Sequence, residues 1–205
     1  YKIKYVLIMN SMAKKEIITI AGANGSGKSS TAKKIAEILG FKHFSSGDFM
    51  RQIAKENNMT LEELSKIAEK ENWVDKKLDD YVKQAGLGEK IVIDSRLAFY
   101  FISDSFKVYL DLDPKTAAER MLIDMKNNPA RHLENEGKIE SMEKMAEKSA
   151  KRLASERKRY FDLYGIKNHT NHNNFNLIVN TGKNNLEQVV AIVEKEYKKW
   201  IENNK

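Results

Sequence analysis

The chain has 205 residues, 41% hydrophobic and 32% charged, a mix that buries one core and fits one domain carrying small appendages. Its formal charge of +7 points to an anionic partner, nucleic acid or a phosphate-rich small molecule, unless the lysines only load a solvated surface. The absence of cysteine excludes disulfides, thiolate metal sites and cysteine nucleophiles and is compatible with a reducing cytoplasm.

The longest apolar run near the start, Tyr5 to Met9, is too short to span a bilayer or form a signal core, so no membrane partner is expected. Residues 1–11 read as a tag or an over-long start ahead of Met12. Ile17 to Ala21 is a buried strand by its β-branched run. Ser29 to Leu39 has helical spacing, with Ala32, Ile35, Ala36 and Leu39 on one face and Gly40 closing it. Phe41 to Phe44 is a second strand. Helical patterns follow over Phe49 to Lys55, Leu61 to Lys70 and Trp73 to Ala85. Ile91 to Asp94 and Lys107 to Leu110 are further strands, and Lys115 to Met125 is a helix with Pro114 in its first turn. A long charged helix from about Ile139 to Leu163, a loop from Asn168 to Asn176, a last strand over Leu177 to Val179 and a closing helix from Leu186 to Trp200 complete the chain. Short apolar strands alternating with helices imply an α/β fold of three layers, a five-stranded parallel sheet flanked by helices.

Gly22-Ala23-Asn24-Gly25-Ser26-Gly27-Lys28-Ser29 fits G-x-x-x-x-G-K-[ST] without a mismatch, between an expected strand and an expected helix. Glycines let successive backbone N–H groups wrap a polyphosphate, and the helix that follows aims its positive end at the same anion. Lys28 is placed to neutralise β and γ oxygens and the Ser29 hydroxyl to hold Mg²⁺; Ser30 closes the ATP-binding run that opens at Gly22. Such a loop indicates nucleotide binding without naming the reaction.

Three further motifs address the acceptor. Ser46 and Arg51 lie about one helical turn apart and can converge on one ligand, unless Ser46 only caps its helix and Arg51 sits in solvent. Asp94 ends an apolar strand and can hold a magnesium-bound water, with Arg96 just beyond able to reach an acceptor phosphate. Arg152, Glu156 and Arg159 fall at i, i+4 and i+7 on one face of the charged helix. Arginines delivered there can stabilise a moving phosphoryl group, or else pair with Glu156 on a solvated surface. The four histidines show no metal-ligand spacing and carry no assigned role.

Together these motifs, with Asp75-x-x-Leu-Asp79, Tyr164-Gly165 and Leu177-Ile-Val-Asn-Thr181, resemble the short archaeal-type cytidylate kinases from about Ile17 to Trp200. The resemblance implies a P-loop nucleoside monophosphate kinase fold, with an acceptor-binding helical region over about 46–88 and a lid over about 126–158. It implies ATP and CMP, with dCMP, as small-molecule substrates of a cytoplasmic monomer that takes no nucleic acid. It also implies acceptor contacts from Ser46, Arg51, Asp79, Arg96 and Glu156, catalytic roles for Lys28, Arg152 and Arg159, and metal contacts from Ser29 and Asp94. Adenylate kinase shares the Ser-x-Gly-Asp-x-x-Arg acceptor motif, other small-acceptor kinases share the loop, and the pI of about 9.3 keeps an ATP-dependent nucleic-acid binder open.

Overall fold

The computed structural model describes residues 15–128 and 141–203. The expectation for residues 1–11 lies outside them, as do the start of the long charged helix near Ile139 and the middle of the expected lid.

The sheet is built on β1 (Ile17–Gly22), whose six residues are all buried. Its neighbours are β3 (Ile91–Asp94) and β4 (Phe106–Asp111), and the outer strands are β2 (Lys42–Ser45) and β5 (Leu177–Asn180). The order is β2-β3-β1-β4-β5 and every pairing is parallel. A central parallel strand has no solvated face, which is why β1 and β3 are continuous apolar runs rather than alternating ones. Because the strands are parallel, the carboxyl ends of β1, β2 and β3 open on one edge, where ligands of such sheets bind.

Helix α1 (Lys28–Leu39) packs Ala32, Ile35 and Ala36 against Ile18, Ile20, Val92, Val108 and Leu110, together with Val189, Val190, Val193 and Tyr197 of the closing helix α8 (Leu186–Glu202). Gly40 closes α1 in the left-handed conformation and returns its N–H to Ala36 and Glu37. On the other face, Ile17, Ile91 and Ile93 meet Val82 and Ala85 of α4 (Trp73–Ala85) and Ala98 of α5 (Ala98–Phe101). Burying each such aliphatic side chain is worth about 1.5–3 kcal/mol, so this two-sided core carries the scaffold.

Two of the smaller cores are built by helices alone. Helices α2 (Ser46–Glu56), α3 (Leu61–Ala68) and α4 close around Ile53, Leu64 and Val74. Helix α6 (Pro114–Asn127) packs Ala118 and Met125 on Met145 of α7 (Met142–Tyr164). The long helix thus has a thin apolar face, as its charged sequence suggested.

Two departures from the sequence pattern have plain causes. Helix α2 starts at Ser46 rather than Phe49, because the Ser45 side chain accepts the Asp48 N–H and sets the N-terminus there. The one-turn α5 went unanticipated, since four residues cannot display a helical period. The Asn/His loop holds a single 3₁₀ turn, His172–Asn174, begun by the Asn171 side chain.

Candidate active site

The turn between β1 and α1 owes its shape to close backbone approaches. A Cβ on Gly22 (φ 147°) would stand 2.5 Å from the Leu110 carbonyl oxygen, and one on Gly25 (φ 76°) 2.7 Å from that of Ala117. Only glycine fits either place, and both approaches press the loop onto β4 and α6. Gly27 ends the loop without a capping side chain, so the first N–H groups of α1 are left for a ligand. Ser26 stays inside, its Oγ donating to Ala23 O at 2.7 Å.

Lys28 folds back over the loop and donates from Nζ to Ala23 O at 2.6 Å. Burial, and then the Arg96 charge, drop this ammonium to about 7, against the pull of Asp94 and Glu156; Arg152 adds to the push. A partly desolvated cation beside other positive groups gains from an arriving phosphate.

Three cations therefore share one small space with two carboxylates. Arg96, two residues past β3, is held beside the loop because Ser95 N–H donates to Ile20 O at 3.1 Å. Its Nη2 donates to Asn24 Oδ1 at 2.8 Å and its Nε meets Glu156 Oε2 at 2.8 Å. Arg152 donates from Nε to Glu156 Oε1 at 2.9 Å. Burial works to raise the Glu156 carboxyl, yet Arg96 and Arg152 together hold it below the usual carboxylate range. The Arg96 charge, then burial, lowers Arg152, which shows how closely the two guanidinium groups crowd.

Asp94 is 4% exposed at the end of β3. One oxygen accepts from Ser45 Oγ at 2.9 Å and the other from His43 Nε2 at 2.9 Å. Neither supporting residue was singled out in the sequence, because both act through a strand pairing rather than a motif: β2 lies against β3 with Ser45 beside Asp94. With both oxygens engaged, Asp94 is suited to meet a cation through water rather than directly.

Since Ser45 makes the cap, Ser46 does not: its Oγ is buried and has no hydrogen-bond partner among the described residues. A buried hydroxyl without a partner is uncommon and calls for an explanation. Arg51 pairs with Asp48 one turn before it; partial burial works against the Asp48 charge, but Arg51 still holds that carboxyl below its ordinary value.

Arg159 goes elsewhere. Its fork grips the Asp75 carboxylate of α4 at 3.0 and 3.4 Å, with Nη1 on Ser155 Oγ at 3.2 Å. Asp79, one turn further along α4, accepts from the Tyr164 hydroxyl. The two contacts bind the end of α7 to the α2–α4 group. Arg152 and Glu156 thus stand with Lys28 and Arg96, while Arg159 and Asp79 stand in the strut beside them. Helical spacing put all three α7 residues on one face but could not say that this face spans two partners.

His169, one of the four histidines given no role by the sequence, is buried beside this group. It is 3% exposed, its Nδ1 has no partner among the described residues, and its ring meets Tyr160 edge-on at 4.9 Å. Burial drops it to about 4, and burial raises Asp79 to about 6 against its bond from Tyr164. The signs oppose each other. A depressed histidine stabilises the fold above about 6.5 and loses that stability as pH falls towards 4. A raised carboxyl stabilises below about 3.8 and loses that stability as pH rises through 6. The expected outcome is that His169→Phe flattens the fall in melting temperature between pH 6.5 and 4, while Asp79→Asn steepens it. Melting curves across that window check both.

Comparison with known proteins bears on what such a site serves. Residues 21–140 match a family model described as an AAA domain. The cytidylate kinase of Methanosphaera stadtmanae is 34% identical over 92% of this chain and 99% of its own length. That of Pyrococcus horikoshii is 37% identical over 88% and 87%. Among solved structures, the shikimate kinase of Bacteroides thetaiotaomicron superposes with a TM-score of 0.62 at 14% identity, over 89% of this chain and 98% of that one, a likeness of fold alone. Among the described residues no helix is long and apolar enough to cross a membrane. On identity sustained along nearly the full length of both chains, with the loop and the sheet that such enzymes need, this chain belongs to the cytidylate kinases, a family of P-loop nucleoside monophosphate kinases.

Proposed function

We propose that the protein transfers the γ-phosphoryl group of ATP to CMP, and to dCMP, giving ADP and the pyrimidine diphosphate. The observation that supports this reading is the convergence of Lys28, Arg96 and Arg152 at the mouth of the glycine loop, with Glu156 bridging the two arginines. One cation would suffice for a nucleotide tail. Three, from the loop, the end of β3 and α7, suit a second anion lying against the first.

In this reading ATP lies on Gly22 to Ser30, with Lys28 against its β and γ oxygens. The acceptor phosphate lies between Arg51 and Arg96, beside the unpartnered Ser46 hydroxyl. Glu156 serves the acceptor side, and Asp79 stands towards the base. Attack is direct and in line, with no covalent intermediate, since the reaction asks for positioning and charge neutralisation above all. Arg152 faces the transferring group, and α7, as part of a lid, closes over it and excludes water that would spend ATP by hydrolysis.

Among the described residues no cluster of three His, Cys, Asp or Glu could hold a metal by itself. Mg²⁺, which keeps most of its waters and takes phosphate oxygens, would be held here by Ser29 Oγ and, through water, by Asp94. When bound, the ion would supply positive charge that offsets the charge of the nucleotide phosphates. We take the enzyme to act on these small molecules as a monomer. A cytoplasmic setting, where ATP and pyrimidine monophosphates occur, fits this reading.

ADP release, coupled to a reporter enzyme, across AMP, CMP, dCMP, UMP, GMP and shikimate tests the acceptor. CMP and dCMP are expected to lead the panel. AMP in front would make the protein an adenylate kinase instead, and equal rates without acceptor would make it an ATPase.

A further inference from the structure

A loop that grips phosphates through its backbone leaves its side chains for other work. Asn24, the third residue of the glycine loop, spends its own on the acceptor side. Its Oδ1 accepts from Arg96 Nη2 at 2.8 Å, across 72 residues of sequence. Arg96 is fixed at two points, since its Nε meets Glu156 Oε2 at 2.8 Å. A planar fork pinned at Nε and Nη2 by two different groups has its aim set, whereas one pinned at Nε alone can turn about that contact. The Ser95 N–H to Ile20 O bond at 3.1 Å keeps the roots of the two residues side by side, so the pair does not depend on a mobile segment. The result is a relay from the loop through Arg96 to Glu156 and on to Arg152, at 2.9 Å.

We propose that Asn24 is a positioning residue for the acceptor: it orients Arg96 towards the acceptor phosphate and joins the donor loop to the acceptor site. The inference rests on the reading of Arg96 as an acceptor ligand. Asn24 touches Arg96 through a neutral amide, and that choice has a consequence. An acidic residue there would bind the guanidinium more tightly but would set a negative charge beside the donor phosphates. An aliphatic residue would leave Arg96 hinged on Glu156. The amide accepts the bond and stays neutral.

The test is a double-mutant cycle in the full-length enzyme, using steady-state kinetics with CMP and ATP. Asn24→Ala is expected to raise the KM for CMP by about tenfold, as loss of a hydrogen bond to a charged group does, with the KM for ATP held within about twofold. Arg96→Ala is expected to raise the KM for CMP further, and the double variant to be no worse than Arg96→Ala alone, because Asn24 then has nothing to orient. Arg96→Lys keeps the charge without the fork and takes its place in the cycle should the alanine variant not fold. If Arg96 variants left the KM for CMP unchanged, the acceptor assignment itself would fall. If they raised it while Asn24→Ala did not, or if the two effects simply added, the acceptor assignment would stand and the role of Asn24 would be overturned. A rise in both KM values together would make Asn24 a part of the donor loop only, and would overturn it equally.

Discussion

Lys28→Met is expected to cut turnover by on the order of 10³-fold or more while the melting temperature stays within a few degrees of the parent. The argument for lost activity is electrostatic. Lys28 is the cation of the loop itself, and its ammonium is dropped to about 7 by burial and by Arg96, so it is under-solvated where a phosphoryl group would develop charge. Charge stabilisation by a group already positioned and partly desolvated costs little reorganisation at the moment of reaction. The argument for retained stability is equally local. The one hydrogen bond from Nζ goes to Ala23 O within the same loop, and α1 packs through Ala32, Ile35 and Ala36 rather than through Lys28. Removing an ammonium that the empty fold destabilises leaves the core as it was. Coupled ADP release and thermal melting, run side by side, check both halves; undiminished turnover would remove the loop from the mechanism.

The second large effect separates two arginines that sit seven residues apart. Arg152→Ala is expected to slow transfer by on the order of 10²–10³-fold, as loss of a transition-state arginine does. Arg152 acts on Lys28 and shares Glu156 with Arg96, so it is already at the mouth of the loop. From the sequence, Arg159→Ala promises a loss of on the order of 10²-fold for the same reason. The structure gives Arg159 another duty. Its guanidinium is bidentate on Asp75, which is 4% exposed, and burial raises the Asp75 carboxyl despite that partner. Removing Arg159 strands a buried charge, at a cost of about 2–3 kcal/mol after allowing for its partial access to solvent. Arg159→Ala should therefore lower the melting temperature by several degrees, and adding Asp75→Asn should recover part of that loss. Any fall in kcat for Arg159→Ala then reports the strut between α4 and α7, and should be partly repaired by the same second substitution. A large kcat effect with no change in stability would mean instead that Arg159 leaves Asp75 for the substrate when the lid closes.

Much of this was legible in the chain of residues. The five strands, the helices around them and their parallel arrangement follow from apolar runs too short for helices and too continuous for exposed strands. The glycine loop follows from a motif whose spacing is itself a backbone requirement, as the contacts facing Gly22 and Gly25 show. The i, i+4 pairing of Arg152 with Glu156 is likewise local. Harder to read were Ser45 and Ser46, adjacent and chemically alike. Which of them caps α2 depends on where β2 ends, and that is set by pairing with β3.

What the sequence determined by itself was therefore everything that depends on neighbours along the chain: helical and strand periods, turns that only glycine can make, and the phosphate cradle between β1 and α1. What only the tertiary structure decided was the division of labour among charged side chains that lie far apart in sequence. Asn24 meets Arg96, Ser45 and His43 meet Asp94, and Arg159 meets Asp75, across 72, 49, 51 and 84 residues. A guanidinium can donate to a carboxylate, an amide or a phosphate, so its chemistry alone does not name its partner. The partner is chosen by which strand lies beside which in the sheet and by where α7 crosses α4, and those are properties of the packed core.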